Sequence, residues 1–319
     1  IDPSYSFKKF ANTILVKLLL NTLVIPILLH NESKEDIAKT LIYSLIIGIL
    51  PLALVDGWQY YREYQQGIMP FSGFTHKYKS DILIFMTPAF LLLWNFKSAK
   101  MRILFFAIAC IMGFMIMGTL QRGTWLSILV AGLIWCICKR EWKLPLLAII
   151  ALGAVLTLGY LKDQNSLHVL FHKMQQTSSS GRYGGGTQGA AIDLIMENPV
   201  KGYGYGENIY HQVYNSRVQD YPQWVFKQSI GPHNITLDMW YSAGLLGLIA
   251  LWYLLISVVA EVVKGYRANE GVTKDAWLLI GLIMAGNLFV RGAFETVSIE
   301  NLTMLIGIAL ALKYKAQQN

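Results

Sequence analysis

Long apolar runs alternate with short polar connections along most of the chain. A helix needs about 20 apolar residues, with a range of roughly 17 to 25, to cross the hydrocarbon core of a bilayer. About nine runs approach that length, so the pattern predicts an all-α polytopic membrane protein with about nine transmembrane helices. The predicted spans are residues 10–29, 37–55, 81–96, 102–120, 123–138, 144–161, 235–262, 275–290 and 297–312.

One long polar interval, residues 162–234, separates the predicted spans. Apolar residues recur at helical spacing in the stretches 166–176 and 188–198, and glycine-rich turns divide these stretches. We expect short interfacial helices joined by glycine turns, in a periplasmic loop that is inserted into a single membrane domain covering residues 1–319. A second exported loop, 56–80, is rich in tyrosine and tryptophan, which is typical of a membrane-interface belt.

Composition and charge agree with membrane insertion. The 319 residues are 54% hydrophobic and 14% charged, a balance that is atypical of a soluble globular domain. The net charge of +8 does not indicate nucleic-acid binding, because the basic residues concentrate in alternate short loops, as the positive-inside rule requires of cytoplasmic loops. These loops carry Lys97, Lys100 and Arg102; Lys139, Arg140 and Lys143; Lys264, Arg267 and Lys274; and Lys313 with Lys315.

Two short loops on the opposite, exported side hold one basic residue each, Arg122 and Arg291. One interpretation is an anchor that extends to the lipid headgroups. However, a lone arginine in a tight exported loop costs insertion energy without helping topology, so its position favours a functional role for Arg122.

Arg182 lies in the glycine-rich stretch "SSSGRYGGG". Glycines let the backbone approach a ligand closely and leave amide groups exposed, and a guanidinium with free amides suits phosphate. The alternative is a flexible linker with an incidental arginine. Lys201, before "GYGYG", is a second candidate phosphate contact.

His233 follows the helix-breaking "GP" and precedes the apolar run that begins at Ile235. The macrodipole at a helix N-terminus disfavours a positive imidazolium, so the ring is suited to act as a general base. The alternative is a capping or interfacial histidine, and Asn234 is an equally good candidate for the cap. His168 and His172 share the i, i+4 spacing of zinc ligands, but no third ligand stands nearby, so we predict no metal site.

These motifs, taken in order, resemble the O-antigen ligase family of Gram-negative bacteria, whose wider group includes O-antigen polymerases and pilin oligosaccharyltransferases. "QRGTW" lies in a short exported loop, "SSGRY" and "AAIDLIMENPVKGYGYG" lie in the long one, and "PHNITLDMWYSAGLLGL" enters the next helix. The resemblance covers roughly residues 100–260. It includes the arginine, the "NP" turn, the glycine cluster and the histidine of the family pattern.

The resemblance implies a reaction and a site. The family transfers a polysaccharide from undecaprenyl diphosphate to a sugar hydroxyl of lipid A-core, at the periplasmic face of the bacterial inner membrane, in lipopolysaccharide biosynthesis. It implies no metal and no other cofactor. Arg122 and Arg182 match the arginines that bind the donor diphosphate, and His233 matches the histidine that activates the acceptor. Family members usually have about twelve spans, and the start "IDPSY" is no natural one, so we expect further N-terminal spans before residue 1.

Two alternative functions remain open at this point. An O-antigen polymerase shares the architecture and differs in its acceptor, which is another lipid-linked repeat. A polysaccharide or lipid transporter would place charged or helix-breaking residues deep in several spans. Charged residues are nearly absent from the predicted spans, and Lys17 is the clearest exception. The pattern therefore favours the transferase.

Overall fold

The computed structural model of the chain describes residues 3–67, 80–95, 99–143, 157, 182–295, 297 and 299–314. Within these residues every regular element is a helix. The helices are α1 (Pro3–Leu28, π-helical over Ala11–Leu15), α2 (Lys34–Gln65), α3 (Ser80–Leu91), α4 (Ala99–Gly118), α5 (Arg122–Lys139), α6 (Thr187–Glu197), α7 (Glu207–Arg217), α8 (Ile235–Ala268), α9 (Gly271–Ile283) and α10 (Ile299–Tyr314).

The prediction of an all-α polytopic membrane protein is confirmed. Five helical stretches, α1, α2, α5, α8 and the continuation of α9 to Ala293, are long and apolar enough to cross a membrane, and α3, α4 and α10 contain shorter apolar segments. Along α8 the side chains of Leu246, Ile249, Tyr253 and Ile256 form an exposed apolar stripe, which is typical of a lipid-facing surface. The predicted span 144–161 lies outside the described residues apart from Thr157.

One helix extends past its predicted span. The second predicted span ends at about residue 55, whereas α2 continues to Gln65 and includes ten residues of the expected loop 56–80. Side chains one turn apart stabilise this extension, because Gln59 donates to Glu63 over 3.3 Å and Gln65 donates to the Tyr61 hydroxyl over 2.7 Å.

The described chain forms two compact units. The first contains Ile1–Lys39, Thr177–Met284 and Arg291–Asn319, and the second contains Thr40–Gln176 and Ala285–Val290. That residues 1–319 form a single membrane domain stays a prediction.

In the second unit, α3 packs against both α4 and α5. The Phe90 and Phe105 rings stack with centroids 4.3 Å apart. Small residues let backbones approach, since a Cβ atom added to Gly286 would lie 3.2 Å from the Ser127 carbonyl oxygen.

In the first unit, α1 packs along α10 and α8 packs along α9. Gly307 lets α1 approach closely, because an added Cβ would lie 2.2 Å from the carbonyl oxygen of Asn21. The Asn21 amide donates to the Thr303 hydroxyl over 2.7 Å, which joins the same two helices by a polar contact. Gly265 of α8 has the same role against α9, because an added Cβ would lie 2.3 Å from the Trp277 ring.

The described part of the long polar interval, residues 182–234, folds around an aromatic core. The short helix α6 confirms the helix predicted over 188–198, and α7 follows it. The stretch 166–176, with His168 and His172, lies outside the described residues. Trp224 is buried, donates to the Asp193 carboxylate over 2.8 Å, and stacks on Tyr214 and Tyr221. This core gives the interval a fixed shape on which side chains can be positioned.

The glycine cluster docks against a break in α8. Gly244 has non-helical backbone angles, so nearby carbonyls of α8 accept bonds from outside the helix. Tyr203 N–H donates to the Tyr241 carbonyl over 2.8 Å, and Gly204 N–H donates to the Ser242 carbonyl over 2.9 Å. The contact requires glycine, because a Cβ atom on Gly202 would lie 2.5 Å from the Gly244 nitrogen.

Candidate functional site

His233 lies two residues before Ile235, the first residue of α8, as the sequence predicts. Asn234 is the N-cap, and its side-chain oxygen accepts from the backbone N–H groups of Thr236 and Leu237 over 2.9 and 3.1 Å. Capping therefore falls to Asn234 and leaves the imidazole free for another role. The φ angle of His233 is +48°, a left-handed conformation that a non-glycine residue adopts only when its surroundings hold it.

A tight turn after α9 brings a carboxylate to this histidine. The turn is helical over Arg291–Ala293, and the Arg291 carbonyl accepts from the N–H groups of Phe294 and Glu295, both over 2.8 Å. These bonds fix the backbone of Glu295 next to the start of α8. The His233 Nδ1 atom and the Glu295 Oε2 atom lie 2.9 Å apart.

The His233–Glu295 pair has the properties of a proton-transfer couple. Burial alone would raise the pKa of Glu295, but the hydrogen bond to His233 and the neighbouring positive charges outweigh it and hold that pKa below its ordinary value. The carboxylate is therefore ionised at neutral pH. Because Nδ1 faces the carboxylate, Nε2 is the ring nitrogen left for a substrate. The side chains remain 32% and 27% exposed, so a ligand can reach them.

Gln188 and Asn234 hold the two parts of the pair together. The Gln188 side chain, at the start of α6 and 1% exposed, donates to the carbonyls of His233 and Ala293 over 3.1 and 2.9 Å. The Asn234 amide donates to the same Ala293 carbonyl over 3.3 Å. Three separate segments thus converge at one point, and their contacts offset the cost of the left-handed backbone at His233.

Arg182, predicted to bind diphosphate, lies beside the same turn. Its guanidinium donates to the Phe294 carbonyl and lies 4.0 Å from the Glu295 carboxylate and 5.8 Å from the centre of the Phe294 ring. The structure therefore brings Arg182 and His233 together through Glu295. A guanidinium has five N–H donors, so a bond to one carbonyl leaves donors for phosphate oxygens.

The glycines after Arg182 form part of this arrangement and not a flexible linker. A Cβ atom added to Gly185 or Gly189 would lie 2.2 Å from a backbone oxygen, of Gln223 and Tyr183 respectively. Gly185 also has a φ of +81°. The glycine-rich stretch therefore packs closely and fixes the position of Arg182.

The remaining predicted residues lie at different places. Arg291 is buried, 7% exposed, and lies in the turn that carries Glu295. Lys201 is exposed in the turn between Asn198 and Gly202, which the Asn198 side chain closes by donating to the Gly202 carbonyl over 2.6 Å. Arg122 belongs to the second unit, where it is the first residue of α5.

A cavity of about 480 Å³ borders the pair within the first unit. Its described walls come from α1, from Tyr205 and Gly206, from α7, from the stretch 230–233, from the first two turns of α8, and from Glu295, Val297 and Ile299. Both His233 and Glu295 line it. A base with its partner on the wall of a polar cavity is suited to accept a proton from a hydroxyl group.

Sequence reasoning missed Glu295. The residue lies 62 positions after His233 and in the same loop as Arg291, which the sequence did single out. A carboxylate between two apolar runs, in a loop predicted to be exported, is the signal that was available. Among the described residues no group of three or more His, Cys, Asp or Glu side chains could hold a metal ion. That transfer needs no metal stays a prediction.

Two comparisons with known proteins match the same family. The model of a family described as O-antigen ligase matches residues 105–252, a range that includes Arg122, Arg182, Lys201, His233 and Asn234. The chain is also 44% identical over 318 residues to a protein named O-antigen ligase from Salmonella typhimurium (strain LT2). That alignment covers 98% of this chain and 78% of the relative.

Proposed function

Because the chain belongs to the O-antigen ligase family, we propose that it transfers O-antigen polysaccharide from undecaprenyl diphosphate to a sugar hydroxyl of lipid A-core. The family and the apolar helices together indicate a multi-pass membrane enzyme of the glycosyltransferase type in lipopolysaccharide biosynthesis. The observation that carries the finer proposal is the 2.9 Å contact between His233 and Glu295 on the wall of a polar cavity.

In the proposed reaction His233 is the general base. The acceptor hydroxyl oxygen attacks the anomeric carbon of the donor, and its proton passes to Nε2 of the imidazole. The bond from the anomeric carbon to the phosphate oxygen breaks, and undecaprenyl diphosphate leaves with the electron pair. Glu295 stabilises the imidazolium that forms and holds the ring in one orientation, so it is a positioning residue.

The leaving group needs positive charge, since negative charge grows on the diphosphate as its bond to the sugar breaks. We assign Arg182 and Arg122 to it, because a guanidinium can contact two phosphate oxygens at once. Arg182 is supported by its place beside the turn that carries Glu295. Arg291 and Lys201 are further candidates for phosphate contact. The proposal includes no metal, no other cofactor and no nucleic acid.

The proposed location is the bacterial inner membrane, with the site facing the periplasm. Its support is the charge pattern, because His233, Arg182 and Glu295 all lie in segments opposite the lysine- and arginine-rich loops. Membrane lipids surround the apolar helices, and both substrates are themselves lipid-linked. A reaction between two lipid-linked molecules needs a base where a helix meets the aqueous phase, and the place of His233 two residues before the first residue of the apolar helix α8 supports this location.

The acceptor decides between this function and the polymerase alternative. Purified protein in nanodiscs is supplied with lipid-linked O-antigen and, in separate assays, with lipid A-core or with a second portion of lipid-linked repeat. We expect polymer to appear on lipid A-core. Extension of the lipid-linked repeat without transfer to lipid A-core would contradict the ligase and favour the polymerase.

A further inference from the structure

The cavity beside His233 has a charge that does not suit a diphosphate. Among the described residues that line it, Asp238 and Glu295 carry carboxylates, Lys9 carries a positive charge, and no arginine takes part. With a neutral imidazole the formal charge of these walls is negative. Arg182, which does not line the cavity, offsets the charge of Glu295 from 4.0 Å away, but a diphosphate would still meet the Asp238 carboxylate. A sugar offers hydroxyl donors, from which a carboxylate accepts hydrogen bonds.

Tyr210 contributes a polar atom that needs a partner. The residue is 2% exposed and lines the cavity, and its hydroxyl has no hydrogen-bond partner among the residues that the structure describes. Buried hydroxyl groups in native proteins are nearly always hydrogen-bonded, so a ligand that supplies the partner explains this one. A phenol hydroxyl both donates and accepts, which matches a sugar hydroxyl.

Asp238 lies on the same cavity, in the first turn of α8. Burial, followed by the charges of Tyr214 and Asp238, raises the pKa of Tyr210 far above its ordinary value, which places Asp238 within electrostatic range of the phenol and keeps that phenol protonated. A neutral hydroxyl and a carboxylate that line the same cavity can each form a hydrogen bond with a hydroxyl group of a sugar.

The part of the cavity wall formed by Tyr205 and Gly206 is also held in place. Tyr205 N–H donates to the Ser6 hydroxyl of α1 over 2.7 Å, and the Tyr205 ring meets the Phe10 ring edge-on at 6.1 Å. Gly206, beside it, has a φ of +138° and leaves no room for a Cβ, which would lie 2.9 Å from the Tyr5 ring. Contacts with α1 therefore fix this part of the cavity wall.

We propose that this cavity is the subsite for the acceptor sugar, a neutral polyhydroxylated ligand, and that Tyr210 and Asp238 bind a hydroxyl other than the one that reacts at His233. This inference rests on the proposed function, since it takes His233 as the base. Tyr210 and Asp238 would then determine which sugar hydroxyl faces Nε2 of His233. The donor diphosphate would bind outside the cavity.

The test measures transfer by the full chain in nanodiscs, with lipid A-core and lipid-linked O-antigen varied in turn. Tyr210→Phe removes one oxygen and keeps the ring, and we expect the KM for lipid A-core to rise roughly tenfold, the worth of one hydrogen bond. The KM for the donor should stay within about twofold of wild type. Asp238→Asn should also raise the KM for lipid A-core. Because Asp238 is partly exposed, this variant provides the test if Tyr210→Phe fails to fold.

Tyr214→Phe is the matched control. Tyr214 is on the same helix and equally buried, but its hydroxyl donates to the Phe226 carbonyl over 2.7 Å and does not line the cavity. Its KM for lipid A-core should match wild type. Melting temperatures of the variants separate binding from folding.

Two outcomes would overturn the inference while the proposed function stands. In the first, Tyr210→Phe and Asp238→Asn keep the wild-type KM for lipid A-core although His233→Ala abolishes transfer. In the second, Asp238→Asn lowers the KM for the donor, as expected if the cavity held the diphosphate and lost a repelling charge. Wild-type turnover by His233→Ala would instead contradict the proposed function itself.

Discussion

Two helices in different units, α5 and α8, begin with the same backbone geometry. Leu120 and His233 have φ angles of +49° and +48°, and each is followed by one extended residue, Gln121 or Asn234, and then by the first residue of the helix. Their surroundings differ. Near α5 the hydrogen bonds that stabilise the turn are local, such as the 2.8 Å bond from Trp125 Nε1 to the Ile116 carbonyl.

Before α8 the partners come from distant parts of the chain. His233 and Asn234 are bonded to Gln188, Ala293 and Glu295, which lie 45 to 62 residues away in sequence. The left-handed residue before α5 is a buried leucine, and the one before α8 is a histidine beside a cavity. The same turn therefore occurs with and without chemistry, and the convergence of polar groups from other segments distinguishes a site from a helix start.

The largest effect is expected on turnover, which a substitution in the turn before α8 should lower far more than one in the turn before α5. His233→Ala removes the base and should lower turnover by roughly 10²- to 10⁴-fold, with donor affinity little changed. Leu120→Ala truncates a side chain that is 4% exposed and should lower stability, but turnover per folded protein should stay near wild type. Turnover and lipid-linked donor binding are measured separately on purified variants. Equal losses of turnover in both variants would remove the distinction.

Glu295→Gln should be the next most damaging change. The amide keeps the shape but cannot stabilise the imidazolium by charge, so we expect turnover to fall roughly 10- to 10²-fold, the worth of a hydrogen bond to a charged group. Turnover is measured on the purified variant at saturating donor and acceptor. A wild-type rate would show that the charge of Glu295 is not needed for transfer.

Donor binding should depend on the shape of the Arg182 side chain as well as on its charge. Arg182→Lys keeps the positive charge but loses the planar fork, so it should raise the KM for the donor roughly 10- to 10²-fold, nearly as much as Arg182→Ala. Arg217→Lys is the control, because Arg217 pairs with Glu197 and Asp220 outside the cavity. A fully active Arg182→Lys variant would contradict diphosphate binding by Arg182.

Acid should weaken the site through Glu295. Its pKa in the folded protein lies below the ordinary value, so its contribution to stability is present above that ordinary value and is lost as pH falls through the folded pKa. The melting temperature of wild type should exceed that of Glu295→Gln at about pH 7 and approach it as the solution is acidified below about pH 4.

Glu197→Gln provides the comparison for this measurement. Burial tends to raise the pKa of Glu197, but hydrogen bonds from Tyr221, Tyr203 and Arg217 lower it overall, so the same pH trend is expected. Transfer should be unaffected, because Glu197 does not line the cavity. A difference between wild type and Glu295→Gln that grows on acidification would contradict the assigned sign.

The smallest effect concerns the caps. Asn234→Ala removes two hydrogen bonds to the start of α8 and should lower the free energy of unfolding by about 1 kcal/mol. Gln121→Ala should cost less, since the Gln121 side chain caps no backbone N–H of α5 and accepts a hydrogen bond from the Thr124 hydroxyl over 3.1 Å. Denaturant titration in detergent measures both, and equal losses would contradict the different roles of the two residues.

Local patterns in the sequence predict the helices and the start of α8, because "GP", a capping asparagine and an apolar run are signals within a few residues. They predict His233 for the same reason. Glu295 escapes such reasoning, since its contact with His233 depends on how α8 and the turn after α9 pack together. The contact of Gly202 with Gly244 escapes it too, because both glycines read locally as ordinary breaks.

The central claim is that His233 and Glu295 act as one unit, and a double-mutant cycle on turnover tests it most directly. His233→Ala, Glu295→Gln and the combined variant are compared with wild type at saturating donor and acceptor. If Glu295 acts through the imidazole, Glu295→Gln should cost nothing once His233 is gone, so the double variant should be no slower than His233→Ala. Losses that multiply in the double variant would show that the two residues contribute independently and would contradict the account.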